Sequence, residues 1–424
     1  MMASPAERDT EAAAILAAND RGGFSVPTKG LYPFQWNWDS AFAAMGYAHA
    51  SGERAVQELQ SLVAGQWPNG MIPHIIFHRP DPGYFPGPEV WETAMTPPTS
   101  GITQPPVLAI AIAALADRGV LAGERLADLL EAADRSHAFF FEARRDPATN
   151  VVGVVHPWES GRDNMPDWDD ALAAVDASKV KPFVRRDTSH IDAAMRPTKE
   201  QYERYIALVE FGIAVGWDQR RIMVEGPFFV GDPGIAAVLV RAERELQRLA
   251  RTIGRDDLGG NVDVRLPALC DGLEALWSDA LGAYTTLDLR TGKRGEAVSS
   301  ASFLPFAAGV VDAAQTERLN AHFDRLAARC RYMVPSYDPD APTFDEKRYW
   351  RGPVWLVVNW LIALGLAETG DAARAERVRG DSRALVEAGG FYEYFSPLTG
   401  APLGGADFTW TAAAWLDFAR GTDG

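Results

Sequence analysis

The fold class this sequence predicts is all-α, built as a toroid of paired helices around a central pocket. Apolar residues recur at three- and four-residue spacing along most of the chain. Strand-like alternation is confined to short stretches such as 151–155, and long loops rich in Pro, Gly and Trp interrupt the helices at alternate turns. The periodicity predicts helices over 11–18, 40–50, 55–64, 104–116, 125–141 and 200–215. It continues over 234–250, 266–281, 317–329, 354–366, 372–388 and 408–418. Ser51 and Thr198 carry the chemistry of helix N-caps. Thr369, Gly370 and Asp371 form a tight turn whose Asp caps the next helix. This number of helices fits an α/α toroid with six inner helices. No linker composition divides the chain, so 1–424 is expected to be a single domain, with 166–196 as a lid or insertion.

Composition narrows the function classes. A chain of 424 residues with 47% hydrophobic and 23% charged residues buries a large core. A formal net charge of −16 argues against a nucleic-acid surface, yet leaves room for an anionic substrate held by one buried Arg. Cys270 and Cys330 have no metal-ligand or disulfide pattern, and buried structural thiols are expected. The first residues lack a secretory pattern, and the apolar run near 107–116 is too short to span a bilayer. A cytoplasmic protein with no membrane partner is expected, and a homo-oligomer is left open.

Chemistry concentrates in the loops. From His156 to Asp169 four acids, Glu159, Asp163, Asp167 and Asp169, are interleaved with Trp158 and Trp168 and broken by Gly161 and Pro166. The plain alternative is an acidic capped loop. Glu393 stands alone among Phe391, Tyr392, Tyr394 and Phe395, where its carboxyl is hard to hydrate fully. Its plain alternative is an acid bonded to a Tyr or a backbone turn. Glycoside cleavage needs one carboxyl group to protonate the leaving oxygen and another to activate water. Two loops far apart in sequence suit that need, because a toroid brings them to opposite sides of one sugar.

From Tyr32 to Asp39, four aromatics and one acid lead into a helix. Aromatic faces stack on sugar C–H surfaces and a carboxylate accepts hydroxyl hydrogen bonds; alternatively, Asp39 is a plain N-cap. Around Arg348-Tyr-Trp-Arg-Gly-Pro-Val-Trp355, Pro353 belongs at a helix start, and Arg351 is expected to bind backbone or a carboxylate within the fold.

These stretches occur together with Gln66-Trp-x-Asn-Gly-Met-Ile-Pro-His74, Gly83-Tyr-Phe-Pro-Gly87, Ser100-Gly-Ile-Thr-Gln-Pro-Pro106 and Arg-Pro-Thr198 followed by Tyr202-x-Arg-Tyr205. In this order the motifs resemble the bacterial mannosylglycerate and glucosylglycerate hydrolases of glycoside hydrolase family 63, from Tyr32 nearly to the C-terminus. Residues 251–345 carry none of them. The resemblance implies an (α/α)6 barrel and an inverting mechanism without metal or other cofactor. It implies Asp163 as general acid and Glu393 as general base. It further implies that Tyr32, Trp36, Trp38 and Asp39 hold the sugar; bond breaking makes an oxocarbenium-like centre, whose partial charge an ionised Asp39 is expected to stabilise. Tyr84, Gln104, Gly161, Arg196, Tyr349 and Trp350 would line the place of a small acid, D-glycerate.

Rival readings remain. An α-glucosidase or trehalase-like enzyme on a neutral saccharide would use the same acid and base, but has no use for a buried Arg196, unless that Arg pairs with Asp192. A non-catalytic sugar-binding toroid would be expected to lack one carboxylate. An epimerase of this shape needs paired histidines, and the seven here, from His49 to His322, are scattered.

Overall fold

The computed structural model describes residues 4–185 and 191–420. Twelve helices form the toroid: α1 (Pro5–Asn19), α2 (Asn37–Tyr47), α3 (Gly52–Ala64), α4 (Leu108–Asp117), α5 (Gly123–Ala143) and α6 (Pro233–Thr252), followed by α7 (Asp256–Glu274), α8 (Pro305–Ala308), α9 (Ala313–Arg329), α10 (Leu356–Glu368), α11 (Ala372–Gly389) and α12 (Thr409–Ala414). The even-numbered helices are the inner ring. Each packs on the next, and α12 closes on α2. Every residue of α2, α8 and α12 is buried, whereas α9 buries only Gln315, Leu319, Phe323 and Leu326. A helix apolar on all sides belongs in a core, and one with a single apolar stripe belongs on its outside.

The caps are those the sequence predicts: Ser51 accepts from Arg54 N–H, Thr198 forms a capping box with Gln201, and Asp371 accepts from Arg374 N–H. Several boundaries differ. The predicted 104–116 helix begins only at Leu108, because Pro105 and Pro106 hold the preceding residues extended. The predicted 266–281 helix runs from Asp256 to Glu274, with Pro267 inside it, and its expected end is instead the strand Trp277–Ser278. Pro353 does not start a helix: α10 begins at Leu356, and Val354 bridges Pro335 and Phe395. The four-residue α8 is too short to show a period. The last predicted helix ends as a π-turn over Trp415–Ala419. Cys330 is buried and Cys270 half-buried.

Short turns follow the first five inner helices, and long connections precede all six. All six long connections therefore gather where the inner helices begin. The longest, between α5 and α6, carries the helix Lys199–Ala214 and the segment 166–196. That segment enters through a buried Trp168 and leaves through a buried Arg196; its residues 186–190 lie outside the described residues. Among the described residues no helix is long and apolar enough to cross a membrane.

Candidate active site

The connection into α2 forms one wall. Beneath it Glu58, fully buried on α3, accepts from Ser25 Oγ (2.9 Å), Ser40 Oγ (2.6 Å), Gln35 Nε2 (3.3 Å) and Arg54 (2.7 Å). These bonds pin the chain on both sides of Trp36–Asp39, so the two indoles and the carboxyl face inward from a fixed backbone. Asp39 is not an N-cap, since Trp36 occupies that position and Asp39 lies in the first turn of α2. Burial, with Glu393 and Asp163 nearby, pushes Asp39 well above the usual carboxylate range. The direction of that shift favours the protonated carboxyl over the ionised one expected from the sequence.

The four acids of the second wall separate by partner. Glu159 is buried against Arg144 (2.7 Å), Asp167 accepts from Tyr337 hydroxyl (2.9 Å), and Asp169 pairs with Arg351. That pair is the internal role expected of Arg351. Asp163 alone among them lines the central pocket. Burial pushes it up to about 7, against the opposing pull of Arg196 and the Tyr349 hydroxyl, while Glu393 adds to the rise. Two residues earlier, Gly161 has φ +67°, and a Cβ there would lie 2.7 Å from the Trp38 ring. Only glycine lets the acid loop pass so close to that indole.

Glu393 comes from the hairpin Tyr392–Phe395 with Pro402–Ala406, where the register shifts between Tyr392 and Tyr394. Such an irregularity re-aims a side chain. The Glu393 carboxyl, 1% exposed, accepts from Tyr32 hydroxyl (3.0 Å) and Gly405 N–H (3.0 Å), and Arg196 Nη1 stands 3.7 Å away. Both plain expectations for Glu393, a Tyr partner and a backbone turn, are met, and it lines the pocket as well.

Arg196 lies over Tyr349, its guanidinium 4.1 Å from the ring centre, while Asp192 caps a short helix by accepting from Ala194 N–H. Tyr32, Trp36, Trp38, Asp39, Tyr84, Gln104, Gly161, Asp163, Arg196, Tyr349 and Glu393 all line one pocket. Trp350 does not. It is 1% exposed and stacked 3.8 Å from Trp355, behind the wall. Sequence reasoning left out other lining residues, chiefly His74, Trp158, Tyr202 and Trp410. His74 is held neutral, well below the usual imidazole range, by burial and by His156. The Ile-Pro-His74 motif was its signal, but a lone His in a loop has no spacing that marks it.

The family model for the mannosylglycerate hydrolase MGH1-like glycoside hydrolase domain matches residues 32–411. The chain belongs to that family. This MGH1-like glycoside hydrolase is 42% identical over 409 residues to mannosylglycerate hydrolase MGH1 of Selaginella moellendorffii, covering 95% of this chain and 84% of the relative. It is 35% identical over 452 residues to the glucosylglycerate hydrolase of Mycolicibacterium hassiacum, covering 98% of both. The crystal structure of the family 63 mannosylglycerate hydrolase of Thermus thermophilus in complex with Tris and D-glycerate superposes with a TM-score of 0.92 at 42% identity, over 97% of this chain and 99% of that one. The MGH1-like chain is thus a family 63 enzyme with an (α/α)6 fold, as its motifs imply.

Proposed function

We propose that this enzyme hydrolyses the α-glycosidic bond of a hexosylglycerate, glucosylglycerate or mannosylglycerate, with inversion, releasing hexose and D-glycerate. The observation that carries the reading is a pair of carboxyl groups in one pocket with opposite surroundings. Asp163 is pushed up to about 7 by burial, which suits a proton donor. Glu393 is faced by Tyr32 hydroxyl, Gly405 N–H and Arg196, which suits a carboxylate base. Asp163 protonates the oxygen of the leaving glycerate as the bond to the anomeric carbon breaks. Glu393 takes a proton from the water that attacks the opposite face. The aromatic wall of Tyr32, Trp36 and Trp38 stacks on the sugar, with Asp39 bonding its hydroxyls. Arg196 meets the glycerate carboxylate, with Tyr84, Gln104, Gly161 and Tyr349 around it.

The names of the relatives support a glycerate aglycone, and a neutral disaccharide would leave the buried Arg196 without a substrate partner. The free thiols of Cys270 and Cys330 suit a reducing compartment, the cytoplasm. A hydrolysis screen over glucosylglycerate, mannosylglycerate, trehalose and maltose, scored by released hexose, tests the reading. Turnover of a glycerate glycoside is expected to dominate. A higher kcat/KM on trehalose or maltose would overturn it.

A further inference from the structure

Asn164 follows Asp163 directly and is fully buried. Its Oδ1 accepts a hydrogen bond of 3.0 Å from the backbone N–H of Trp350, 186 positions away. Its Nδ2 has no partner among the described residues, so the oxygen is the atom through which it acts. The peptide it holds follows Tyr349, whose φ is +43°. A non-glycine residue keeps that left-handed conformation only where its surroundings over-determine it. The same peptide plane is held from the other side, where Trp355 Nε1 donates to Tyr349 carbonyl (3.2 Å). The Tyr349 ring so placed lies under Arg196 at 4.1 Å and beside Asp163.

The backbone of the acid is clamped as well. Tyr205 hydroxyl donates to Asp163 carbonyl (2.7 Å), Trp168 Nε1 donates to Arg162 carbonyl (2.8 Å), and the Arg162 side chain pairs with buried Asp232. With the acid loop fixed to the toroid in this way, the Asn164 amide is a short rigid arm from that loop to the Tyr349 peptide. We propose that Asn164 is a positioning residue, which fixes the general acid against Tyr349 by holding the Tyr349–Trp350 peptide.

The inference rests on Asp163 being the general acid, and the test separates the two claims. A glycosyl fluoride carries a leaving group that needs no proton, so loss of acid catalysis spares it, whereas general damage to the pocket does not. Asn164→Ala is expected to lower kcat on the hexosylglycerate by about tenfold or more, with turnover of the matching α-hexosyl fluoride changed by less than about threefold. Asp163→Asn should show the same selectivity more strongly. Combining Asn164→Ala with Tyr349→Phe should cost less than the product of the single losses, because both act through Tyr349. If the alanine variant does not fold, Asn164→Ser carries the same expectations. Equal losses on both substrates for Asn164→Ala, beside a selective loss for Asp163→Asn, would overturn the role of Asn164 and leave the acid standing. Equal losses for Asp163→Asn would remove the acid, and the positioning role with it.

Discussion

The hydroxyl of Tyr32 donates a hydrogen bond of 3.0 Å to Oε1 of Glu393, although the two residues lie 361 positions apart. The bond joins the connection into the first inner helix to the hairpin before the last. It forms because α12 packs on α2 and closes the ring. Tyr32 and Glu393, the proposed sugar wall and base, meet at this seam only when the whole toroid is folded. The site is therefore a property of ring closure rather than of any one hairpin.

Removing either carboxyl proposed as acid or base should leave a folded but slow enzyme. Asp163→Asn and Glu393→Gln keep the shape of each side chain, and each is expected to lose about 10²–10⁴-fold in kcat. Steady-state kinetics beside thermal melts check this. Near-normal turnover in either variant would show that its role belongs to another group.

Asp163 also sets a pH dependence of defined sign. Its folded-state value of about 7 lies above the ordinary 3.8, so between roughly pH 4 and 7 the folded protein binds more protons than the unfolded chain. The stability this group contributes is complete below about pH 4 and is lost as pH rises towards 7. Asp163→Asn, neutral throughout, should thus raise Tm more at pH 8 than at pH 4. In the parent enzyme kcat/KM should fall on the alkaline side of about 7 as the acid loses its proton. A flat profile from pH 6 to 9 would contradict the acid role.

Gly404 packs directly against Glu393, the proposed base. It has φ +73°, and a Cβ there would lie 2.5 Å from Glu393 Oε2. Ala at this position strains the backbone and displaces the carboxylate together. Gly404→Ala is expected to cost about 10²-fold in kcat, in the range for a misplaced base. A variant with the parent's kcat would show that Glu393 tolerates the shift.

The sequence carried much of this site and less of the frame around it. Long amphipathic helices such as α5 and α6 show their period plainly. The inner helix α8, of four residues, cannot show one, and the extent of α7 is hidden by Gly259, Gly260 and Pro267 within it. In the acid-rich loop the sequence offered four acids, and burial partners separate them: Arg144, Tyr337 and Arg351 take up three and leave Asp163 to the pocket. No local pattern predicts those partners: Arg144 lies at the far start of the same connection, and Tyr337 and Arg351 come from the connection into α10. Trp350 is expected beside Tyr349 at the place of the small acid, but it stacks on Trp355, five residues on, after the left-handed Tyr349.

The proposed substrate class is tested at Arg196. It is 5% exposed, lines the pocket, and stands 3.7 Å from Glu393. A guanidinium in that position meets a carboxylate with two parallel hydrogen bonds, which fixes orientation as well as charge. Arg196→Ala is expected to cost roughly 2–5 kcal/mol in kcat/KM on a hexosylglycerate, the range for breaking a buried charge pair. Part of that loss has nothing to do with glycerate, because the same side chain supports Glu393. A hexosylglycerol substrate isolates that part, since it offers the same sugar and bond without the carboxylate. The four combinations of parent and variant enzyme with charged and neutral aglycone form a cycle, and their difference is the coupling between Arg196 and the carboxylate. A coupling of about 1.5 kcal/mol or more is expected, at the lower end of the range for close charge pairs. Equal losses on the two substrates would mean that Arg196 serves only the base, and a neutral saccharide would then become the better substrate assignment.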